Sequence, residues 1–320
     1  MTLLYIIIFI GACIILIKSG TWAVKSLIKI ARSLEWSEFS LTFIFMALTT
    51  SLPELFIGLN SALHKVPQLS FGNIIGVNIF NLTIGVAGVI IASKSKMKLK
   101  TETIRTASFY AALFICFPLI LMLDGTVSRF DGIILLICLI FYFRKIIFKR
   151  EKFKKIFRKI DREEKKQSFK IFLRDLGIFF GSLALLLLSA EGIVRSANFL
   201  ALEINLPLVA TGIVFIALGT ALPELIFGMK SVKMRREEMA LGDFLGTVVI
   251  NSTLILGIVS IISPLKITSF LPYVLGIAFT FVIAAIFYIF SKTNLEISKR
   301  EAYILMAVYI VFIFLQFAIN

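Results

Sequence analysis

The sequence predicts an all-α polytopic membrane protein, with ten transmembrane helices arranged as two inverted five-helix repeats. Three observations predict it. The 320 residues are 59% hydrophobic, with a mean hydropathy of +0.97. The apolar residues fall in runs long enough to span hydrocarbon, which takes roughly 20 residues per helix. The second half of the chain also repeats the polar interruptions of the first at a constant offset of 170 residues.

The runs fall at 3–31, 37–63, 71–93, 104–123, 130–148, 171–199, 206–230, 239–263, 268–290 and 302–318. Several exceed the hydrocarbon thickness and are long enough to tilt. The first run, opening MTLLYIIIFIGACIILIKSG, has no basic leader and no small-residue cleavage site, so it reads as a retained helix. Cys13, Cys116 and Cys138 all lie inside apolar runs. They read as packed thiols and give no disulfide framework.

Basic residues alternate between loops. The first, third, fifth, seventh and ninth loops hold Lys25, Lys29 and Arg32; Lys94, Lys96, Lys98, Lys100 and Arg105; the stretch KREKFKKIFRKIDREEKKQSFK; Lys230, Lys233, Arg235 and Arg236; and Lys292, Lys299 and Arg300. The even loops hold only Lys65, Arg129 and Lys266. The positive-inside rule then makes the odd loops cytoplasmic. It predicts a multi-pass protein of the cell membrane with both termini extracytoplasmic. The same rule accounts for the net charge of +15 without any nucleic-acid partner. In the fifth loop, Phe153, Ile156, Phe157 and Ile160 share one face of a basic helix. Such a helix would lie on the inner leaflet against anionic lipids.

The repeat locates the chemistry. TTSLPELFIGLNS at 49–61 and GTALPELIFGMKS at 219–231 match at Thr50/Thr220, Pro53/Pro223 and Glu54/Glu224. GNIIGVNIFNLTIG at 72–85 and GDFLGTVVINSTLILG at 242–257 match at Asn81/Asn251. The repeats divide the chain into 1–148, with motifs at 47–85, a basic linker at 149–170, and 171–320, with motifs at 217–257. Five helices per half is odd, so the second copy crosses the membrane in the opposite sense. In transporters built this way the substrate site lies near the midplane, where the repeats meet.

Each proline removes a donor from its helix. The carbonyls of Ala47 to Thr50 and Ala217 to Thr220 then need other partners, which within a bilayer must come from protein or a polar cavity. Glu54 and Glu224 are intramembrane acids, functional by default. With those carbonyls and the amides of Asn81 and Asn251 they make an all-oxygen set. Ca²⁺ takes six to eight oxygens at about 2.3–2.6 Å. Two carboxylates balance one Ca²⁺ or two monovalent ions, so each class excludes the other, as exchange requires. Interhelical hydrogen bonding is the plain alternative for the asparagines.

These four motifs resemble the alpha-repeats of the calcium/cation antiporter superfamily, especially its prokaryotic sodium/calcium exchanger branch. The resemblance covers nearly the whole chain. It implies a secondary transporter of small inorganic cations, Ca²⁺ against Na⁺ or H⁺, with no cofactor and a monomeric working unit. It makes Glu54 and Glu224 the central ligands, completed by the carbonyls of Ala47, Thr50, Ala217 and Thr220, the hydroxyl of Ser51, and Asn81 and Asn251 at the centre. It has the first and sixth helices slide across the rest. The chain departs from the family pattern at Thr49, Val77, Ala221 and Asn251, whereas Thr247 keeps a hydroxyl. By sequence, Val77 and Ala221 cost each half one hydroxyl ligand, which makes H⁺ coupling the rival of Na⁺ coupling.

Asp243, at the start of the eighth run, reads as a helix cap or an ion-access residue. Lys18, Glu191 and Arg195 read as snorkelling or internally paired charges. His64 reads as a loop residue and not a ligand. A single histidine cannot supply a zinc-hydrolase motif, and no phosphate-binding loop is present. Enzymatic and ATP-driven classes are thereby excluded, and a cation channel remains the lesser alternative.

Overall fold

The computed structural model describes residues 1–33, 48–93, 97–98, 102–148, 169–233, 237–267, 270–292 and 296–319. The amphipathic face expected at 153–160 lies outside them. So do Ala47 and residues 37–46 of the second run. The described residues form ten helices in the expected order. They are α1 Thr2–Ser33, α2 Leu52–Leu63, α3 Pro67–Ala92, α4 Glu102–Leu121 and α5 Arg129–Phe148, then α6 Phe169–Glu203, α7 Leu208–Lys233, α8 (237–262), α9 Phe270–Lys292 and α10 Lys299–Ile319. Eight are long and apolar enough to cross a membrane. The other two are α2, whose described part is short, and α5, which carries Arg129, Asp131, Arg144 and Lys145.

Local chemistry sets the boundaries. Pro67 stands at the start of α3, where a missing N–H costs nothing. Ser128 and Asp131 cap α5 reciprocally, at 2.8 and 3.2 Å. Ser298 and Glu301 cap α10 in the same way, at 2.6 and 3.3 Å. These are two capping boxes, 170 residues apart.

Two short antiparallel ladders report the topology. The first, β1 (Met97–Lys98), follows α3, and β2 (Thr126–Val127) follows α4. The third, β3 (Leu265–Lys266), follows α8, and β4 (Glu296–Ile297) precedes α10. β1 pairs with β4, Met97 opposite Ile297. β2 pairs with β3, Val127 opposite Leu265. The loop after α3 therefore shares a membrane face with the loop before α10, and the loop after α4 shares one with the loop after α8. Equivalent loops of the two halves lie on opposite faces, as an inverted repeat requires.

The packing centres on two buried cores, and α2, α3 and α7 contribute to both. The larger core joins α2, α3, α4, α5, α7, α8, α9 and α10, with Phe71, Phe244, Tyr273 and Phe312 among its buried members. A second core holds α1 to α6 through Ala12, Leu16 and Ala23 against Leu186, Ala190, Ile193 and Ala197. Small residues let these two long helices approach, as membrane helix pairs do without a hydrophobic drive. Tyr5 stacks on Phe199 at 3.9 Å, and Lys29 lies 3.8 Å from Asp175. With 32 and 35 residues, α1 and α6 exceed the ~30 Å hydrocarbon and must tilt.

Candidate functional site

Three of the helices carry a π-helical turn, a feature frequent at functional sites. In α3 it is Asn81–Gly85 and in α8 it is Asn251–Ile255. Both begin on the asparagine singled out by the repeat. Thr83 and Thr253 back-bond to the carbonyls of Ile79 and Val249, at 2.5 and 2.6 Å. The third turn, Gly212–Ile216, precedes the second glutamate motif. No residue propensity announces these turns, so the sequence does not reveal them.

The prolines act differently in the two halves. Ahead of Pro53, Leu48–Thr50 is helical, Ser51 forms a turn with φ −81° and ψ 4°, and α2 begins at Leu52. The expected break is present. Pro223 lies inside an unbroken helix, Ala217–Lys233. The irregularity in this helix sits earlier, as the π-turn at Gly212–Ile216.

Glycine brings the motifs together. A Cβ on Gly72 would stand 2.1 Å from the carbonyl oxygen of Val209, and one on Gly76 would stand 2.5 Å from the Cβ of Ala217. Only glycine lets α3 approach the backbone of α7 so closely.

Glu54 and Glu224 are 0% exposed. Among the described residues neither carboxyl group has a hydrogen-bond partner, although Glu224 stands within electrostatic reach of Glu54 and Asp243. Both side-chain atoms of Asn81 and the oxygen of Asn251 are also buried without partners. The Asn251 amide donates to Asn78 at 3.4 Å, and Asn78 donates to Ser252 at 2.9 Å. Leaving such groups unsatisfied costs about 1–3 kcal/mol each, more for charged groups. So many unspent acceptors in one place fit a set of oxygens that a cation would satisfy. A cavity of about 240 Å³ lies between α2, α6 and α8, but its lining is mainly apolar, with Leu52, Leu55, Phe179, Ile250 and Leu254, and none of Glu54, Glu224, Asn81 and Asn251 lines it.

The remaining expected residues are buried at the same level. Thr50 donates to Asp243 at 3.0 Å and lies 3.3 Å from the Thr247 hydroxyl. Thr220 donates to Asn73 at 3.0 Å and lies 3.4 Å from the Ala217 carbonyl. Ser51 is buried with its hydroxyl unpartnered. Among the described residues, no three acidic, histidine or cysteine side chains crowd into one metal cluster.

Asp243 requires a correction. It does not cap α8, which begins at Glu237. It lies inside the helix, buried, and shares one face with Thr247 and Asn251 at intervals of four residues. That i, i+4, i+8 stripe is the signal that would have found it. Glu191 forms the internal pair expected with Arg195, while Lys18 is exposed on α1. His64 ends α2, as a boundary residue should, but its ring also reaches Glu191 at 3.2 Å.

The family model described as sodium/calcium exchanger protein matches residues 4–147 and 175–318. Among curated relatives, the sodium/calcium exchanger MaX1 of Methanosarcina acetivorans is 26% identical, over 99% of each chain. The inner membrane protein YrbG of Escherichia coli is 26% identical, over 68% of each chain. The sodium–calcium exchanger NCX_Mj, solved after soaking in 2.5 mM Na⁺ and 0.1 mM Ca²⁺, superposes with a TM-score of 0.65. It is 25% identical, covering 97% of this chain and 98% of that one.

Proposed function

The chain belongs to the sodium/calcium exchanger protein family, and from that premise we propose that it exchanges Ca²⁺ for Na⁺ by alternating access at a midplane all-oxygen centre. It is a membrane transporter, not an enzyme. The observation that carries the reading is the pair Glu54 and Glu224, wholly buried, with four carboxyl oxygens unpartnered among the described residues. Two carboxylates supply the charge that a divalent ion needs in hydrocarbon. The carbonyls of Ala47 and Ala217, the hydroxyls of Thr50, Ser51, Thr220 and Thr247, and the amides of Asn81 and Asn251 supply neutral oxygens. Once Ca²⁺ leaves, the same oxygens carry two negative charges that monovalent ions must balance, and this mutual exclusion couples the fluxes. The close pairing of α1 with α6, through Ala12, Leu16 and Ala23 against Leu186, Ala190 and Ile193, supports these two helices as the part that moves. In this reading both termini are extracytoplasmic, and the 149–170 linker meets anionic lipid at the inner leaflet.

A second reading, exchange of a divalent ion for H⁺, is favoured by one observation. Val77 packs against Ala217 and Ala221, where a larger set of Na⁺ ligands would need hydroxyls. The experiment is uptake of radiolabelled Ca²⁺ into proteoliposomes, driven separately by an outward Na⁺ gradient and an outward H⁺ gradient. Glu54→Gln and Glu224→Gln should each lower uptake by about 100-fold or more, since charge at the centre is lost while shape is kept. Normal uptake by either variant would sink the reading. The gradient that drives wild-type uptake decides between the two coupling ions.

A further inference from the structure

His64, at the end of α2, has both ring nitrogens engaged. Nδ1 lies 2.9 Å from the Asn60 carbonyl oxygen, and Nε2 lies 3.2 Å from a carboxylate oxygen of Glu191 in α6. A carbonyl oxygen only accepts, so Nδ1 carries the proton. In the neutral ring Nε2 is then a bare lone pair. It points at the Glu191 oxygen, which is an acceptor too. Two acceptors at that distance repel unless a cation stands with them.

That cation is either a second proton on the ring or a metal ion, and three features fit a metal. A histidine that ligates through one nitrogen ordinarily donates its other N–H to a carbonyl or carboxylate, which fixes its tautomer. The Asn60 carbonyl does this for His64. Imidazole nitrogen and carboxylate oxygen both bind Zn²⁺, at about 2.0–2.2 Å, and bonds of that length at the tetrahedral angle hold two ligand atoms about 3.3–3.5 Å apart. The observed 3.2 Å is close to that edge, so the side chains need little movement to share an ion. The side chains of His64 and Glu191 are also 35% and 30% exposed, so an ion can arrive with water as its remaining ligands. Arg195 is the competitor. Its guanidinium holds the same Glu191 oxygen, but its side chain is 68% exposed and can swing into water.

We propose that His64 and Glu191 form a two-residue site for a borderline-soft divalent metal, Zn²⁺ above all, that ties the end of α2 to α6. The site is distinct from the glutamate centre. Ten residues separate His64 from Glu54, about 15 Å along a helix. Its nitrogen ligand also sets it apart from an oxygen cage, because Ca²⁺ and Mg²⁺ take oxygen. With two protein ligands, and no group of three among the described residues, the metal binds reversibly instead of residing as a structural ion. If ions are exchanged by movement of α6 past α2, a metal held by both helices arrests that movement. Zn²⁺ is then a blocker and not a cargo. The block rests on the exchange reading; the binding does not.

Binding is tested on the tag-free full chain in detergent, with saturating CaCl₂ to fill the centre, heated over a range of ZnCl₂ concentrations. Wild type should gain thermal stability from ZnCl₂ and none from MgCl₂. His64→Ala and Glu191→Gln should each raise the Zn²⁺ concentration for half-maximal stabilisation by about tenfold or more, as one of two ligands is lost. Either variant serves if the other does not fold. Arg195→Gln, which removes the competitor, should lower that concentration. In proteoliposomes, Zn²⁺ should stop Ca²⁺ uptake by the wild type at concentrations that leave His64→Ala running.

An identical Zn²⁺ response in wild type, His64→Ala and Glu191→Gln overturns the proposal and leaves the pair as imidazolium and carboxylate. Zn²⁺ binding that the variants lose, without any block of wild-type uptake, overturns the tie between the helices. A wild type that binds Zn²⁺ as expected but carries no Ca²⁺ in its absence supports the site and counts against the exchange reading.

Discussion

The hydroxyl of Thr50, in the helical turn ahead of α2, donates to the carboxyl group of Asp243 in α8 across 3.0 Å. Its mirror, Thr220 to Asn73, has the same length and a neutral acceptor. The two donor–acceptor pairs have equal lengths and differ in the acceptor, a carboxyl group in one and an amide in the other. Hydrogen bonds to charged groups contribute about 1.5–3 kcal/mol and neutral ones about 0.5–1.5. Thr50→Val should therefore lower the melting temperature in ion-free detergent more than Thr220→Val does. Equal losses would mean that Asp243 presents a neutral group to Thr50.

The contact of α3 with α7 is sterically saturated. A methyl group on Gly72 would stand 2.1 Å from the Val209 carbonyl oxygen, whereas one on Gly181 of α6 meets nothing within 4 Å. Overpacking costs about 1–3 kcal/mol. Replacing an exposed helical glycine by alanine gains up to about 1 kcal/mol. Gly72→Ala should destabilise the protein and Gly181→Ala should leave it unchanged or firmer, both read by thermal unfolding. A neutral Gly72→Ala would show that α3 and α7 stand further apart.

Inversion of the repeats can be read from the two ladders. Directly opposed residues of an antiparallel pair have Cα atoms about 4.5–5.5 Å apart, within disulfide range. Met97→Cys with Ile297→Cys should cross-link, and so should Val127→Cys with Leu265→Cys. In right-side-out vesicles a membrane-impermeant reductant should open only the second cross-link, because positive loops flank the first. Reduction of both from one side would contradict the inverted arrangement.

How far the sequence carried can be judged from particular residues. The burial of Glu54, Glu224, Asn81 and Asn251 was legible because a polar residue inside an apolar run is expensive, and a repeated expense is conspicuous. Among the described residues the helices fall where hydropathy places them, with α3 starting at Pro67 and not at 71 because proline fits the first helical turn. Asp243 was misread because a carboxylate near the edge of an apolar run has a cheap local explanation, a cap. Its partner Thr50 lies 193 residues away, beyond any local pattern. The meeting of Val77 with Ala221 was invisible for the same reason. Repeat matching tells which residues are equivalent, not which ones touch.

His64 ties α2 to α6. It ends α2, its Nδ1 lies 2.9 Å from the Asn60 carbonyl oxygen, and its Nε2 lies 3.2 Å from the Glu191 carboxylate of α6. Glu191 also pairs with Arg195 on its own helix. If α6 slides against α2, this contact must break and reform in each cycle. The contact ties the two helices, so removing it should lower the barrier to sliding. His64→Ala should raise the maximal rate of Ca²⁺ uptake by about two- to tenfold, the equivalent of about 0.5–1.5 kcal/mol, and leave the Ca²⁺ concentration for half-maximal uptake unchanged. The measurement is the initial rate of uptake into proteoliposomes over a range of Ca²⁺ concentrations. An unchanged maximal rate would show that the contact does not cross a moving boundary.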